Sequence, residues 1–171
     1  GPQVSIIASR HDSRCVFSAG PECWVFEYCY INPARPVRLG RNVGVGGGTY
    51  IFSHGLWLSK LKGYPVSYGE VNIGDDVWLP WGCFIMPGVD IGAGSIIGAR
   101  SLVTRSVVEN TLAAGMPAKV IKENFAQPLP VLEQVDVLLS ETKVWAAHNS
   151  VMVEQRVAGA WVEVLSRDEV V

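Results

Sequence analysis

Aliphatic residues return every six positions through the middle of this chain, and that period fixes most of what the chain can fold into. From Ile73 the sequence reads IGDDVW, LPWGCF, IMPGVD, IGAGSI, IGARSL and VTRSVV, which puts Ile73, Leu79, Ile85, Ile91, Ile97 and Val103 in one register. An earlier block, LGRNVG, VGGGTY and IFSH, adds Leu39, Val45 and Ile51. Four residues after each later position stands a second small or branched residue: Val77, Cys83, Val89, Ser95, Ser101 and Val107. A helix repeats every ~3.6 residues and a strand every ~2, so a period of six belongs to neither alone. It fits a short strand and a tight turn, three times per coil of roughly 18 residues. The aliphatic residue points inward and stacks on its equivalent one coil away. Gly, Asn and Asp at the corners, among them Asn42, Asp75 and Asp76, tolerate the turn. The fold class is therefore mainly β, a parallel β-helix over residues 39–108.

The register breaks once. The position after Ile51 should be residue 57, yet the repeat resumes at Ile73, so about 16 residues are inserted within GLWLSKLKGYPVSYGEVN. A solenoid expels such an insertion as a loop, and those loops often bind. This one carries Trp57, Tyr64, Tyr68, Lys60 and Lys62, and its aromatics either cover a neighbouring subunit or line a substrate cleft. His54 stands at its base. The expected organisation is an irregular N-terminal cap at 1–31 and a β-helix over 32–116 with the inserted loop at 55–72. A short capping helix opened by Pro117 follows at 117–126, then a small β appendage at 127–171. Within the appendage, Leu132–Leu139 reads as a brief helix. Thr142–His148, Val151–Val157 and Trp161–Leu165 read as strands, with turns at Asn149-Ser150 and Gly159. The tail fits the start of a larger domain equally well.

Charge and cysteine usage exclude several classes. The net charge of −2 argues against a general nucleic-acid surface, and no run of about 20 apolar residues exists to cross a membrane. Charged residues make up only 18% and hydrophobic ones 49%, a balance that a shared subunit interface would explain. Cys15, Cys23, Cys29 and Cys83 match no paired zinc motif and read as reduced structural thiols, consistent with a cytoplasmic protein. Of His11, His54 and His148, only His54 lies in the regular coil, so a zinc site built from three histidines is not expected. The run GVGGG lacks the Gly-Lys-Ser/Thr of a phosphate loop and reads as corners.

The run IGDDVWLPWGCFIMPGVDIGAGSIIGARSLVT, followed by LAAGMPAKVIKE, resembles the hexapeptide-repeat acyltransferases, closest to the branch acetylating antibiotics, sugars and maltose-like substrates. The resemblance covers about residues 33 to 125. It implies a left-handed winding, which the repeat itself does not give. It also implies a homotrimer, acetyl-CoA as acyl donor, a small-molecule acceptor with a hydroxyl or amine, and no metal. His54 matches the family's general base, and Glu70, near the loop's return, is the candidate to hold its other nitrogen. The positions matching the coenzyme groove are Trp78, Trp81, Ala93, Gly94, Ala99, Arg100, Thr104, Ala114 and Lys119, while Trp57, Tyr64 and Tyr68 are placed for the acceptor. Two residues depart from the pattern. Trp81 replaces a small residue and either narrows the thioester channel or stacks on an acyl group or adenine. His54 is followed by Gly55 rather than Pro. The stretch GTYIFSHGLWLSKLKGYPVSYGE also resembles β-helix domains inside nonribosomal-peptide-synthetase-like proteins, with other domains of a larger parent as partners. The alternative reading is thus a trimeric scaffold or interaction domain without catalysis.

Overall fold

The computed structural model describes residues 3–9, 11–55 and 58–148, with side chains to 146, and the backbone of 152–155 and 162–165. It divides into two compact units, residues 1–126 and 127–171.

The first unit is a coil that visits three parallel sheets in turn, here called faces A, B and C. β1 (Ser5–Ile6) lies on face A. The first full turn runs through β2 (Phe17–Ala19) on face B, β3 (Trp24–Val25) on face C and β4 (Tyr30–Asn32) on face A. The second is β5 (Val37–Leu39), β6 (Gly44–Val45) and β7 (Tyr50–Phe52). The chain then leaves as a hairpin of β8 (His54–Gly55) and β9 (Ser67–Tyr68). It returns as β10 (Val71–Ile73), β11 (Trp78–Leu79) and β12 (Phe84–Ile85). β13 (Asp90–Ile91), β14 (Ile96–Ile97) and β15 (Leu102–Val103) make the fourth turn. Each strand pairs in parallel with its equivalent one turn on, as in Ile73↔Ile91, Leu79↔Val45 and Ile85↔Val103.

The period follows from two inward positions and one corner. Because strand side chains alternate, residues i and i−2 both face in. Ile51, Leu79, Ile85 and Ile97 are completely buried, and so are Thr49, Cys83 and Ser95 two residues before three of them. Each fully buried aliphatic contributes roughly 1.5–3 kcal/mol. Three residues after an inward aliphatic the backbone turns with positive φ, at Asn42, Gly48, Asp76, Gly82, Gly88, Gly94, Arg100 and Asn110. The buried hydroxyls serve these corners: Ser95 Oγ donates to Val108 O (2.9 Å) and accepts from Thr111 N–H (3.2 Å).

Four expectations need correction. Residues 17–32 are no irregular cap but a regular turn, with Phe17, Cys23 and Val25 packed on the core. The repeat is masked there because non-glycine residues, Glu22 (φ 63°) and Tyr28 (φ 60°), take the corners, and because the next corner is two residues longer, Ile31 to Leu39 spanning eight. Val107 is not the second inward residue of its motif; it bridges to Ile91, a register two residues short of the six-residue count. Residues 117–126 form no helix. β16 (Leu112–Gly115) turns at Pro117 into β17 (Ala118–Lys122), which pairs antiparallel with it and so satisfies the open edge of face C. In the second unit, Thr142–His148 is not a strand but the end of one helix, α1 (Val131–His148). No Gly or Pro interrupts that segment, and Thr142 Oγ1 donates back to Leu138 O at 2.7 Å. β18 (Met152–Gln155) and β19 (Val162–Leu165) pair antiparallel. The expected turns at Asn149-Ser150 and Gly159 lie outside the described residues. No described helix is long and apolar enough to cross a membrane.

The three outer faces differ. Face A carries an aromatic ladder, with Tyr30 6.1 Å from Tyr50 and Tyr50 stacked on Phe84 at 5.1 Å and 5°. Face B is polar: Arg38 donates to Asn72 Oδ1 (3.3 Å) and Asn72 to Asp90 Oδ1 (2.8 Å). Face C presents Trp24 and Trp78.

Two outcomes check this packing. Ile51→Ala should cost about 2–5 kcal/mol in urea unfolding, since the neighbouring turns cannot close a cavity in a stacked column. The four cysteines are free, and burial raises the thiol pKa of Cys29 and Cys83. A thiol reagent should therefore leave those two unlabelled in the native protein and reach them on unfolding.

Candidate active site

The excursion begins where the inward pattern ends. Ser53, fully buried, donates to Asn32 O (2.9 Å) and accepts the Arg35 N–H (2.7 Å), which fixes the corner just before His54. β8 and β9 then pair with His54 directly opposite Tyr68. Between them Lys60–Lys62 forms a single 3-10 turn, started by Ser59 and closed by Gly63 at φ 83°. The return is tight. Gly69 donates to Ser53 O (3.1 Å), and a Cβ on it would lie 2.5 Å from Gly88 Cα and N.

His54 is half-buried, and its ring lies 6.3 Å from that of Tyr68 at 24°. Its Nδ1 is enclosed and has no hydrogen-bond partner among the described residues, which leaves Nε2 as the nitrogen able to meet an acceptor. Glu70 does not supply the expected partner. Its carboxylate pairs with Arg38 at 2.5 Å, drawn along face B by the strand that follows it. Arg35, which the sequence did not single out, lies over the Tyr68 ring, 4.3 Å from its centroid. The guanidinium is held by Ala34 O (2.6 Å) and faces Asp12 at 3.8 Å. Arg14 hydrogen-bonds the Asp12 carboxyl and holds it down to about 2, so that group is anionic at any ordinary pH. Tyr64 is exposed on the loop, and Trp57 lies outside the described residues.

The residues expected along a coenzyme groove do not converge within one chain. Trp81, Ala99 and Arg100 sit at the corner between faces C and A, with Arg100 at φ 56°. Ala93 and Gly94 occupy the corner between B and C, whereas Thr104 shares with His54 the corner between A and B. Trp78 is on face C, with β14 between it and the closing hairpin, which carries Ala114 opposite Lys119. Trp81 and Trp78 form a cluster with Phe26, whose centroid is 6.4 Å from each ring. Glycines make room for both indoles: a Cβ on Gly44 would lie 2.4 Å from Trp78, and one on Gly47 2.2 Å from Trp81. Phe26 was hidden from sequence reading by the unrecognised first turn. Among the described residues no group of His, Cys, Asp or Glu is arranged to hold a metal.

Residues 70–105, the turns from the loop's return to face A of the fourth coil, match the family described as bacterial transferase hexapeptide (six repeats). Over those turns the chain is similar to the hexapeptide-repeat transferases. The galactoside O-acetyltransferase of Escherichia coli (strain K12) is 31% identical over 129 residues, covering 62% of this chain and 63% of that protein. The chloramphenicol acetyltransferase of Morganella morganii is 43% identical over 77 residues, 45% of this chain and 34% of that one. The chain thus spans less than two thirds of the length of either relative. A solved galactoside acetyltransferase in complex with coenzyme A superposes with a TM-score of 0.53 at 28% identity, over 63% of this chain and 65% of that one.

The glycine contact at the base of the hairpin is open to test. Gly69→Ala should overpack against the Gly88 backbone and cost about 1–3 kcal/mol. Gly63→Ala, where nothing lies within 4 Å, strains only the backbone and should cost less. Paired thermal melts would rank the two.

Proposed function

We propose that this protein transfers an acetyl group from acetyl-CoA to a hydroxyl or amine of a small molecule, with His54 as general base. One observation supports this above the rest. On a hexapeptide coil, the histidine at the base of the excursion has Nδ1 enclosed and Nε2 left to face an acceptor. In this reading Nε2 takes the acceptor's proton as its oxygen or nitrogen attacks the thioester carbonyl. The tetrahedral intermediate then collapses, expelling the thiolate, which recovers the proton from the imidazolium. The intermediate's oxyanion is met by a backbone N–H of the coil. No covalent intermediate on the protein is needed.

The coil is read as left-handed and the working unit as a homotrimer. The scatter of Trp81, Ala99, Arg100, Ala93, Gly94 and Thr104 over three corners supports a groove built between chains rather than within one. The outward aromatics of faces A and C, with Trp24 70% exposed, supply apolar surface for that assembly. Four free cysteines fit a reducing, cytoplasmic setting. The relatives' names point to saccharide or aryl-bearing alcohol acceptors, for which the exposed Tyr64 offers a stacking surface.

Calorimetric titration of coenzyme A and acetyl-CoA, with oligomeric state fixed by sedimentation, is the first test. Saturable binding to a trimer is expected. His54→Ala should keep that binding and lose about 10²–10⁴-fold in transfer to a galactoside or chloramphenicol. A trimer that fails to bind at millimolar coenzyme would overturn the reading.

A further inference from the structure

A base histidine is ordinarily oriented by what its second nitrogen touches, most often a carboxylate or a backbone carbonyl. In His54 that nitrogen is Nδ1, and among the described residues nothing hydrogen-bonds it. The nearest carboxylate that sequence reasoning offered, Glu70, is engaged by Arg38. Packing can orient the ring instead, and one described side chain is placed to give it. Tyr68 is the direct cross-strand neighbour of His54, and the two rings lie 24° from parallel.

We propose that Tyr68 is the positioning residue of His54, holding the imidazole by ring stacking in place of the usual hydrogen bond, and that Arg35 fixes Tyr68 in turn. This rests on the reading of His54 as general base. Arg35 grips the site at two points. Its guanidinium covers the Tyr68 ring, and its backbone N–H binds Ser53 Oγ, one residue before His54. It therefore fixes the chain entering β8 and the ring facing it from β9. The guanidinium is itself held by Ala34 O and sits 3.8 Å from Asp12. Its charge favours the ring face electrostatically, a contact that needs the aromatic ring and not the phenol hydroxyl. Tyr68 thus acts through its ring, and a side chain without one cannot replace it.

The experiment compares Tyr68→Phe, Tyr68→Leu and His54→Ala in the full chain by two readouts. The first is the proton NMR shift of the His54 ring in histidine-labelled protein, assigned by its loss in His54→Ala. Tyr68→Leu should remove the ring-current contribution and Tyr68→Phe should keep it. The second is transfer from acetyl-CoA to a galactoside or chloramphenicol. Tyr68→Leu should lower kcat by about 10- to 100-fold with KM for acetyl-CoA unchanged, as expected when a reacting group is misplaced by about 1 Å, and Tyr68→Phe should restore it. Melting curves confirm that each variant folds. His54 shifts unchanged in Tyr68→Leu would overturn the proposal whether or not transfer is detected. So would kcat unchanged in Tyr68→Leu while His54→Ala abolishes transfer. If instead His54→Ala leaves transfer intact, the base assignment fails. The NMR comparison then still decides whether Tyr68 sets the ring.

Discussion

The first unit depends above all on one backbone feature: three residues after most of the stacked aliphatics, the chain turns with positive φ. At ten corners it does so, four of them Gly and the others Glu22, Tyr28, Asn42, Asp76, Arg100 and Asn110. That turn sends the next strand to the next face, and two strands later the chain is back one level higher. The stacking of Ile31, Ile51, Ile85 and Val103 on face A follows from it, as does the continuous parallel hydrogen bonding. Where the turn is absent the geometry changes. At His54, three residues after Ile51, the backbone stays extended as β8, and the excursion leaves the coil there.

This explains what could be read from the residues and what could not. Where Ile or Leu marked the column and Gly or Asp most of the corners, as from Ile73 to Ile97, sequence and structure agree in register. Between residues 17 and 32 the same column is built from Ala19, Val25 and Ile31, but a Glu and a Tyr take the corners, at some steric cost. Neither residue announces a turn, so the periodicity disappears by eye. At the other end, Gly-x-Pro-Ala-Lys reads as the start of a helix because Pro suits a first helical position. The unpaired edge of the last coil decided otherwise, since a strand beside it satisfies backbone groups that a helix would leave open.

The site was legible in one residue and not in its surroundings. His54 could be picked out because it sits where the period fails. Its neighbours come from elsewhere in the chain: Tyr68 from the returning strand, Arg35 from the corner one turn earlier, Asp12 from before the first full turn. Such contacts depend on which corner lies under which, and a six-residue period does not reveal that until the insertion at Asn32–Pro36 is counted. Glu70 was chosen for nearness in sequence. The alternation of strand side chains sends it to face B, where a guanidinium was waiting.

A stack of identical levels has no intrinsic length. Each coil offers the next a full set of donors and acceptors in parallel register, and the same surface would accept a strand from another molecule. The closing hairpin removes that offer on face C. β17 runs antiparallel to β16, and Asn110 at the last corner is tied to the segment beyond, donating to Ala126 O and accepting from its N–H. A reversed strand cannot template another level in phase, so the hairpin acts as a stop codon written in backbone direction. It ends the stack on face C and, by the same means, leaves no parallel edge there for a strand of a neighbouring molecule to extend.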